Sequence, residues 1–367
     1  MIFYSTWQRR RSNFQEFHPG VNQNKIHLVE FGGRGGVFQH TLALAQRLGR
    51  RGFDVIVHTA KNPELNPTNA TVCFCFDWQR EKYFLRNFAI LRFFIFRTLP
   101  HLMHLRHGEV VWVQGIFKTP LTLMLIMCLR LCQQKVAFSP HALRARGRGF
   151  LGNLFLNLSI RMSNVVIVYN SKDKDSLDSK NIKNLSVHLY QYVPDDYQPF
   201  KTQWNNLLDQ EKIKIGCIGQ LRIDKNYALV ISVADFLGAQ AVIVGEDVGA
   251  ATRILEILES SQGNHFYREE YLSIESLVGL LSTLDVVMLP YNFASQSGIA
   301  EISSILGVPV VSRDQGALGE QSAHVLPEDA TISQWGQMIL RTLEEPIPAS
   351  GHKLNQDRRC LRQFPGR

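Results

Sequence analysis

The residue types best suited to bind an anion follow an apolar segment in the last third of the chain. Asp285–Tyr291 reads as a buried strand, and Gln296–Ile299 (QSGI) opens the helix that comes next, before a second buried strand over Gly307–Val311. Small residues at a helix start leave backbone N–H groups accessible, and the helix dipole adds partial positive charge there. The segment therefore predicts a phosphate site at the carboxyl edge of a parallel sheet, where open α/β folds bind ligands.

A glycine-rich turn near the other end of the chain has the same context. Gly32–Gly36 (GGRGG) follows the predicted strand Lys25–Phe31 and precedes a predicted helix. It is not the dinucleotide fingerprint, because the third glycine would fall at Phe38 and no acidic residue stands in the expected ribose position. A tight turn with positive φ is the simpler explanation. Four glycines in five residues exceed the need of one turn, so we expect a ligand to approach this backbone closely.

A third turn carries two cations. Gly219–Asn226 (GQLRIDKN) follows the predicted strand Lys212–Ile218 and places Arg222 and Lys225 three residues apart. Two such cations could neutralise a diphosphate, whereas solvated surface charges are the alternative for this turn taken alone. This turn and the helix start at Ser297 both lie at the carboxyl ends of strands in one predicted sheet, so we expect them to meet.

Strands and helices alternate along the chain with one interruption. The 367 residues are 45% hydrophobic and 20% charged, which is ordinary for a soluble globular protein of two domains. Repeated alternation implies parallel sheets with right-handed crossovers. The sequence therefore predicts an α/β fold of two doubly wound, Rossmann-like domains that face each other across a cleft. The predicted segments are a flexible leader (1–24), a first domain (25–193), a linker (194–211), a second domain (212–345) and a tail that packs back on the first domain (346–367).

Positive charge is concentrated in the first half of the chain. The net charge is +8, but residues 1–200 have a balance of +14 and residues 201–367 a balance of −6. Phe84–Arg97 mixes aromatic residues with arginines, so it either lies on an anionic membrane surface or packs on the core with solvated arginines. Arg144, Arg146 and Arg148 add to this basic half. We expect no nucleic-acid partner, because no recognition module or stacking platform is visible.

The cysteines predict neither disulfides nor a metal site. The pairs Cys73 and Cys75, and Cys128 and Cys132, have spacings that invite zinc, but no histidine pair stands in ligand spacing beside the second pair. Reduced core thiols in a cytoplasmic protein are the expectation. No apolar run reaches the roughly 20 residues that cross a bilayer, and no apolar segment of a secretory signal follows the N-terminal arginines.

Taken in order, these motifs are similar to those of a known family. The chain resembles the GT-B glycosyltransferases, in particular the large retaining family four, from Gly32 to about Glu345. Each motif alone is weak evidence for this family, whereas their order and spacing together are strong evidence. The residues that carry the resemblance are Gly35-Gly36-Val37, Arg51–Asp54, Ser139-Pro140-His141, Gly219 with Lys225-Asn226, Asp285–Pro290, Gln296–Gly298 and Gly307–Pro309.

The resemblance implies a role for each matching position. His141 would lie beside the donor sugar and, with Lys225 and Arg222, form the catalytic set, while Gln296 and Glu301 are candidate ribose or sugar contacts. No metal ion or other cofactor is implied. The groups that would bind the donor diphosphate, together with Lys225, are those of Gly35, Gly36, Gly219, Ser297, Gly298 and Ile299.

Two positions depart from the family pattern. Gln220 stands where the family usually has arginine, and Arg222 is the nearest substitute. The family's pair of glutamates, spaced E-x7-E, should fall at Ala294 and Ile302, and neither is acidic. Glu301 is one residue out of register, about 100° around the helix. The chain instead resembles the family members that carry Gln-Ser-Gly here, so recognition of the ribose by glutamate is in question while the diphosphate site is not.

The sequence therefore predicts a cytoplasmic glycosyltransferase, with the inner face of a membrane as a candidate docking surface. It would transfer a hexosyl or N-acetylhexosaminyl group, with retention, from a UDP- or GDP-sugar to a saccharide or lipid-linked saccharide in polysaccharide or glycolipid synthesis of the cell envelope. One alternative is a noncatalytic sugar-nucleotide-binding partner subunit of the same fold. A sugar-nucleotide epimerase is another, although the acidic cleft residues that it needs cannot be placed.

Overall fold

The structure, a computed structural model, describes residues 25–65, 70–76, 91–92, 94–103, 105, 109–143 and 149–345. The predicted leader and tail, the arginines at 144, 146 and 148, and most of the segment 84–97 lie outside these ranges. Within them, no helix combines the length and apolar character that crossing a bilayer requires.

The first domain is built on a seven-stranded parallel sheet. Its strands are β1 (Lys25–Glu30), β2 (Asp54–Ala60), β3 (Thr71–Phe76), β4 (Val110–Gln114), β5 (Lys135–Ser139), β6 (Val165–Val168) and β7 (Asn184–Ser186). They lie in the order β3-β2-β1-β4-β5-β6-β7. Its described α-helices are α1 (Gly35–Gly49), α2 (Leu99–Met103, after a π-helical turn over Phe94–Thr98), α3 (Thr119–Leu131), α4 (Phe150–Met162) and α5 (Ser171–Asp178).

The second domain repeats this plan with six parallel strands. They are β8 (Lys214–Ile218), β9 (Gln240–Gly245), β10 (Phe266–Glu269), β11 (Val286–Leu289), β12 (Val310–Arg313) and β13 (His324–Leu326). Their order is β10-β9-β8-β11-β12-β13. The helices are α6 (Gln198–Asn205), α7 (Tyr227–Leu237), α8 (Ala251–Ser260), α9 (Ile274–Leu281), α10 (Gly298–Leu306), α11 (Leu318–Gln321) and α12 (Ile332–Glu344).

Helices cover both faces of each sheet, and the strand sequences show why. Successive side chains point to opposite faces, so Leu28 packs in one apolar cluster of the first domain and Val29 in the other. In the second domain every residue of β8, β9 and β11 is buried. Such continuous burial is typical of central parallel strands. The predicted α/β fold of two doubly wound domains is confirmed.

The strand order locates the ligand crevice of each domain. In both sheets the direction of winding reverses between two central strands: β1 and β4 in the first domain, β8 and β11 in the second. Doubly wound proteins bind ligands at the carboxyl ends of the strands at such a switch point. The glycine-rich turns after β1 and β8, and the Ser-Gly helix start after β11, all lie at these ends.

The segment predicted as a linker contains a helix. The polar residues around Trp204 suggested a loop, yet α6 forms there and Trp204 is buried against the second domain. Its indole N–H donates to the carbonyl of Ser276 at 3.1 Å. Trp204, with the partly buried Tyr197 and Phe200, therefore packs this polar helix on the second domain. The edge strands β7 and β13, of three residues each, were not predicted, because such short strands leave no periodic pattern.

Candidate functional site

Lys225 lies at the switch point of the second domain, on a 3₁₀ turn over Ile223–Lys225. Its buried Nζ donates to the carbonyl of Ile218 at 3.0 Å and lies 5.2 Å from the centre of the Tyr291 ring. Burial lowers the pKa of Lys225 to about 8, because desolvation disfavours the charged form. The nearby carboxylate of Asp224 is paired with Arg222 instead, at 3.0 Å. An incoming anion would compensate the buried ammonium.

The start of α10 supplies backbone donors. The hydroxyl of Ser297 caps the helix by accepting from the N–H of Ala300 at 3.3 Å, and the N–H of Ser297 donates to Gln321 Oε1 at 3.0 Å. Among the described residues, the N–H groups of Gly298 and Ile299 donate to no acceptor. Together with the helix dipole, these two N–H groups form a local positive region.

Gly219 separates Lys225 from this helix start. Its φ of +104° favours glycine. A Cβ at this position would lie 3.0 Å from Lys225 Nζ and 3.9 Å from Ile299 Cγ1. The structure therefore brings the predicted lysine, the predicted glycine and the predicted helix start together around one point.

Gln191 connects this region to the first domain. A Cβ on Gly298 would lie 3.0 Å from Gln191 Nε2, and the same Nε2 lies 3.5 Å from the carbonyl of Gly36. Within the described structure, Gln191 Oε1 is buried without a hydrogen-bond partner. Gln191 therefore lies between the two predicted glycine sites and leaves one buried acceptor at the cleft.

His141 joins the two domains by hydrogen bonds. It has a φ of +56° and follows β5. Its Nε2 lies 3.0 Å from Gln114 Oε1, and its Nδ1 lies 2.7 Å from Gln296 Nε2. The amide oxygen accepts and the amide nitrogen donates, so the proton is on Nε2. Burial, and secondarily His40, lower the pKa of His141 well below its usual range, so the ring is neutral and holds the segment that leads into Ser297.

A buried network stands behind His141. The Tyr169 hydroxyl lies 3.0 Å from His40 Nε2, and His40 Nδ1 donates to the carbonyl of Tyr190 at 2.8 Å. Burial lowers the pKa of His40 to about 4, so this ring is also neutral. Since every member is fixed by a neighbour, the network makes the base of the cleft rigid.

The glycine-rich turn of the first domain differs from the helix start of the second. The N–H groups of Gly32 and Gly33 donate to the carboxylate of Glu30, at 2.7 and 2.8 Å. The N–H of Gly35 donates to Glu64 Oε1 at 3.2 Å. Carboxylates of the chain itself therefore occupy three amides of this turn. A Cβ on Gly35 or on Gly36 would meet no atom within 4 Å, so the space beside these glycines is open.

Three other predicted positions lie near the site in less direct roles. Arg222 pairs with Asp224, and Gln220 is exposed. Glu301 is buried on α10, where its Oε1 lies 2.5 Å from His188 Nε2. Its Oε2 is buried without a partner in the described residues. The register shift of Glu301 therefore directs one carboxylate oxygen to a histidine and leaves the other as an acceptor.

Sequence reasoning missed Glu30, Glu64, Gln114 and Gln191. Glu64 and Gln191 lie in irregular segments and belong to no motif. Glu30 and Gln114 are the last residues of β1 and β4, the two strands at the switch point. The rule for ligand positions in doubly wound sheets would have singled out these two once the strand order was known.

No family model matches the sequence, and no curated protein sequence matches it. Solved structures match over most of its length. HepE from Anabaena, in complex with UDP-glucose, is 13% identical with a TM-score of 0.62, over 87% of this chain and 90% of that one. Sucrose-phosphate synthase from Thermosynechococcus elongatus is 15% identical with a TM-score of 0.65, over 88% and 90%. The catalytic domain of starch synthase IV from Arabidopsis thaliana, bound to ADP and acarbose, is 12% identical with a TM-score of 0.63, over 93% and 99%.

The fold is GT-B. The matching structures are GT-B glycosyltransferases, and the chain shares with them two Rossmann-like domains with parallel sheets. Identities this low establish the fold alone. Membership of the retaining family four, and of its Gln-Ser-Gly variants, stays a prediction.

Proposed function

We propose that this GT-B protein transfers a sugar from a nucleotide diphosphate to an acceptor hydroxyl. One observation carries the proposal: the buried ammonium of Lys225 and the open amides of Gly298 and Ile299 lie around Gly219, at the switch point of the second sheet. A helix N-terminus beside a cation that lacks a carboxylate partner in the described structure is suited to a diphosphate. The structures with UDP-glucose and with ADP share this fold.

The same groups would act in the reaction. The bond between the anomeric carbon and the β-phosphate oxygen breaks, and a bond forms between that carbon and the acceptor oxygen. The acceptor proton passes to the departing phosphate, on the same face of the sugar, which gives retention. Negative charge grows on the diphosphate as the bond breaks, so the ammonium and the preorganised amides stabilise the transition state more than the ground state.

His141 is assigned a positioning role in this proposal. Both of its ring nitrogens are hydrogen-bonded, to Gln114 and to Gln296. It therefore holds the segment before Ser297 and presents the edge of a neutral ring to the donor sugar. The unpartnered oxygen of Glu301 is suited to accept a hydrogen bond from a donor hydroxyl.

Contacts between the domains indicate how water is excluded. Besides the bond between His141 and Gln296, Lys172 Nζ lies 2.7 Å from Asp314 Oδ1 across the domain boundary. The donor reaches the site when these contacts separate, and the contacts re-form around it. Closure of this kind shields the departing diphosphate from water.

The acceptor side offers an apolar surface. Phe150, Leu151, Leu154 and Leu158 are exposed on α4, and Phe150 is 82% exposed. Their spacing puts them on one face of the helix. Together with the positive balance of residues 1–200, this face suits an anionic lipid surface that carries a lipid-linked acceptor. We expect the protein to co-sediment with vesicles containing phosphatidylglycerol and not with phosphatidylcholine vesicles, and a Leu151→Glu, Leu154→Glu variant to lose this binding.

The experiment that tests the function is a panel of UDP-, GDP- and ADP-sugars. Thermal-shift measurements would identify the nucleotide, since stabilisation scales with affinity, and product analysis would detect transfer or slow hydrolysis. Lys225→Met should reduce turnover by about 1,000-fold or more, because a charge-assisted contact to the leaving group is lost. Lys214→Met is the matched control. Lys214 is buried like Lys225, but it is the first residue of β8, at the end of the strand away from the site, and it pairs with Asp285 at 3.3 Å.

The panel also separates a noncatalytic partner subunit from an enzyme. The exposed Gln220 and the contact of Glu301 with His188 favour this second candidate. Nucleotide-sugar binding that depends on Lys225, with neither transfer nor hydrolysis, would establish it. Full turnover by Lys225→Met would contradict the phosphate role of this lysine.

A further inference from the structure

A second cluster of titratable side chains lies in the first domain, outside the candidate nucleotide site. His58 on β2 and Cys73 on β3 are register partners in adjacent parallel strands, so their side chains share one face of the sheet. His101 on α2 lies against that face: its Nε2 is 3.3 Å from His58 Nδ1 and 3.4 Å from Cys73 Sγ. Three segments far apart in sequence therefore bring three ligand-type atoms together.

A buried chain of hydrogen bonds fixes the orientation of His58. Glu109 Oε2 lies 3.0 Å from His27 Nε2, and His27 Nδ1 lies 2.9 Å from His58 Nε2. The carboxylate accepts from His27 Nε2, which leaves His27 Nδ1 to accept from His58 Nε2. The lone pair of His58 is then on Nδ1, the atom that faces Cys73 and His101.

This is the arrangement of a metal-binding histidine with its supporting partners. Histidine ligands commonly donate their second ring N–H to a group that is itself held by a carboxylate, which sets the tautomer and the ring angle. Zinc binds nitrogen at about 2.0–2.1 Å and thiolate sulfur at about 2.3 Å in tetrahedral geometry, so its ligand atoms lie roughly 3.3–3.6 Å from one another. The two distances to His101 match these values, and all three ligand atoms lie within 4.8 Å of one another.

We propose that His58 Nδ1, Cys73 Sγ and His101 Nε2 bind one zinc ion, with a fourth position for water or a further donor. Two imidazoles and a thiolate suit this borderline-soft ion better than magnesium or calcium. Binding converts the Cys73 thiol to a thiolate and releases its proton to solvent. The ion would tie α2 and the edge strand β3 to β2, so its role is to stabilise the first domain.

The sequence predicted no metal site. Cys73 was considered with Cys75, its neighbour in sequence, while the true companions of Cys73 come from the paired strand and from a helix nearly thirty residues away. These three residues can be recognised as one group only from the register of β2 and β3 and the position of α2.

The test uses the full-length protein without an affinity tag. The protein is first stripped with a chelator and then titrated with Zn²⁺ against a competing chromophoric chelator. We expect one zinc per chain, a rise in melting temperature on binding, and no change in nucleotide affinity. Replacement by Co²⁺ should give a thiolate-to-cobalt charge-transfer band and strong d–d bands of a four-coordinate site.

Matched variants make the assignment specific. Cys73→Ser should lose the charge-transfer band and lower zinc affinity at least about tenfold. His101→Ala, at an exposed position, should keep the band of the remaining thiolate but lower zinc affinity by a similar factor. Cys128→Ser, which removes a half-buried cysteine on α3, should bind zinc as the unmodified chain does. Absence of stoichiometric zinc binding, or equal binding by Cys73→Ser and the unmodified chain, would overturn the proposal.

Discussion

Two helices of this protein begin at glycine after a central strand, and they differ in the groups that face their leading amides. At the start of α1, the N–H of Gly35 already donates to the carboxylate of Glu64. At the start of α10, the N–H groups of Gly298 and Ile299 have no acceptor among the described residues, and the ammonium of Lys225 lies on the other side of Gly219. At α1 a carboxylate of the chain accepts from the leading amide, whereas at α10 the leading amides are open and the first-turn carboxylate of Glu301 contacts His188 instead.

A helix that starts with glycine is therefore not by itself a phosphate site. The dipole is the same in both helices, and what separates them is the side chain that folding brings to the N-terminus. A donor phosphate at Gly35 would lie beside the carboxylate of Glu64, whereas one at Gly298 would lie beside an ammonium. We therefore propose that the diphosphate binds in the second domain and that the open space at Gly36 receives the acceptor.

Valine substitutions at the two helix starts give the largest expected contrast. Gly298→Val fills the space between the amides and Gln191, so the nucleotide affinity should fall at least about 100-fold, or roughly 3 kcal/mol. Gly36→Val places its side chain in open space and should change this affinity less than about threefold, while transfer to the acceptor slows. Isothermal titration calorimetry with the best-binding nucleotide measures both, and equal losses would remove the distinction.

Much of this contrast lies beyond what the sequence could predict. The apolar runs that form β8 and β11, and the glycines that end them, were sufficient to predict two doubly wound sheets, with Lys225 and the start of α10 at the same edge of the second sheet. The partner of Gly35 was not predictable, because Glu64 comes from an irregular segment that only the tertiary fold brings to α1. The histidines at 58 and 101 show the same limit, since strand register and helix docking leave no local signature.

A smaller effect is expected in the pH dependence of nucleotide affinity, which should arise from Lys225 beside the start of α10. The pKa of Lys225 is about 8 in the free protein, and a bound diphosphate favours the protonated form and raises this pKa. Nucleotide affinity should therefore be highest below about pH 8 and fall by up to about tenfold per pH unit above it. Lys225→Met should abolish this dependence in calorimetric titrations between pH 7 and pH 10.

The lowered pKa of Lys225 also affects the free energy of unfolding. Between about pH 8 and the ordinary lysine pKa of 10.5 the unfolded chain binds more protons at Lys225 than the folded chain, so its contribution to the free energy of unfolding rises with pH. At pH 7, Lys225→Met should be more stable than the unmodified chain by about 2 kcal/mol, because the desolvated charge is gone while one hydrogen bond is lost. Denaturant unfolding measures this, and a destabilised variant would contradict it.

Of these variants, Glu64→Gln should change stability and nucleotide affinity least. The amide oxygen still accepts from Gly35, but the amide nitrogen replaces the carboxylate oxygen that accepts from the Tyr271 hydroxyl. The loss of this bond and of the negative charge at the helix start costs about 1 kcal/mol of unfolding free energy. Nucleotide affinity should stay within about threefold of the unmodified value. If the donor phosphates instead bind at Gly35, removing this carboxylate should tighten nucleotide binding about tenfold or more, and titration calorimetry would detect it.

The most direct test of the diphosphate site is a crystal structure with the nucleoside diphosphate that the thermal-shift panel selects. We expect the phosphate oxygens within about 3 Å of Lys225 Nζ and of the N–H groups of Gly298 and Ile299. We also expect Glu64 still paired with Gly35. A nucleotide whose phosphates lie at Gly35, with Lys225 still bonded only to the carbonyl of Ile218, would contradict a diphosphate site at Lys225.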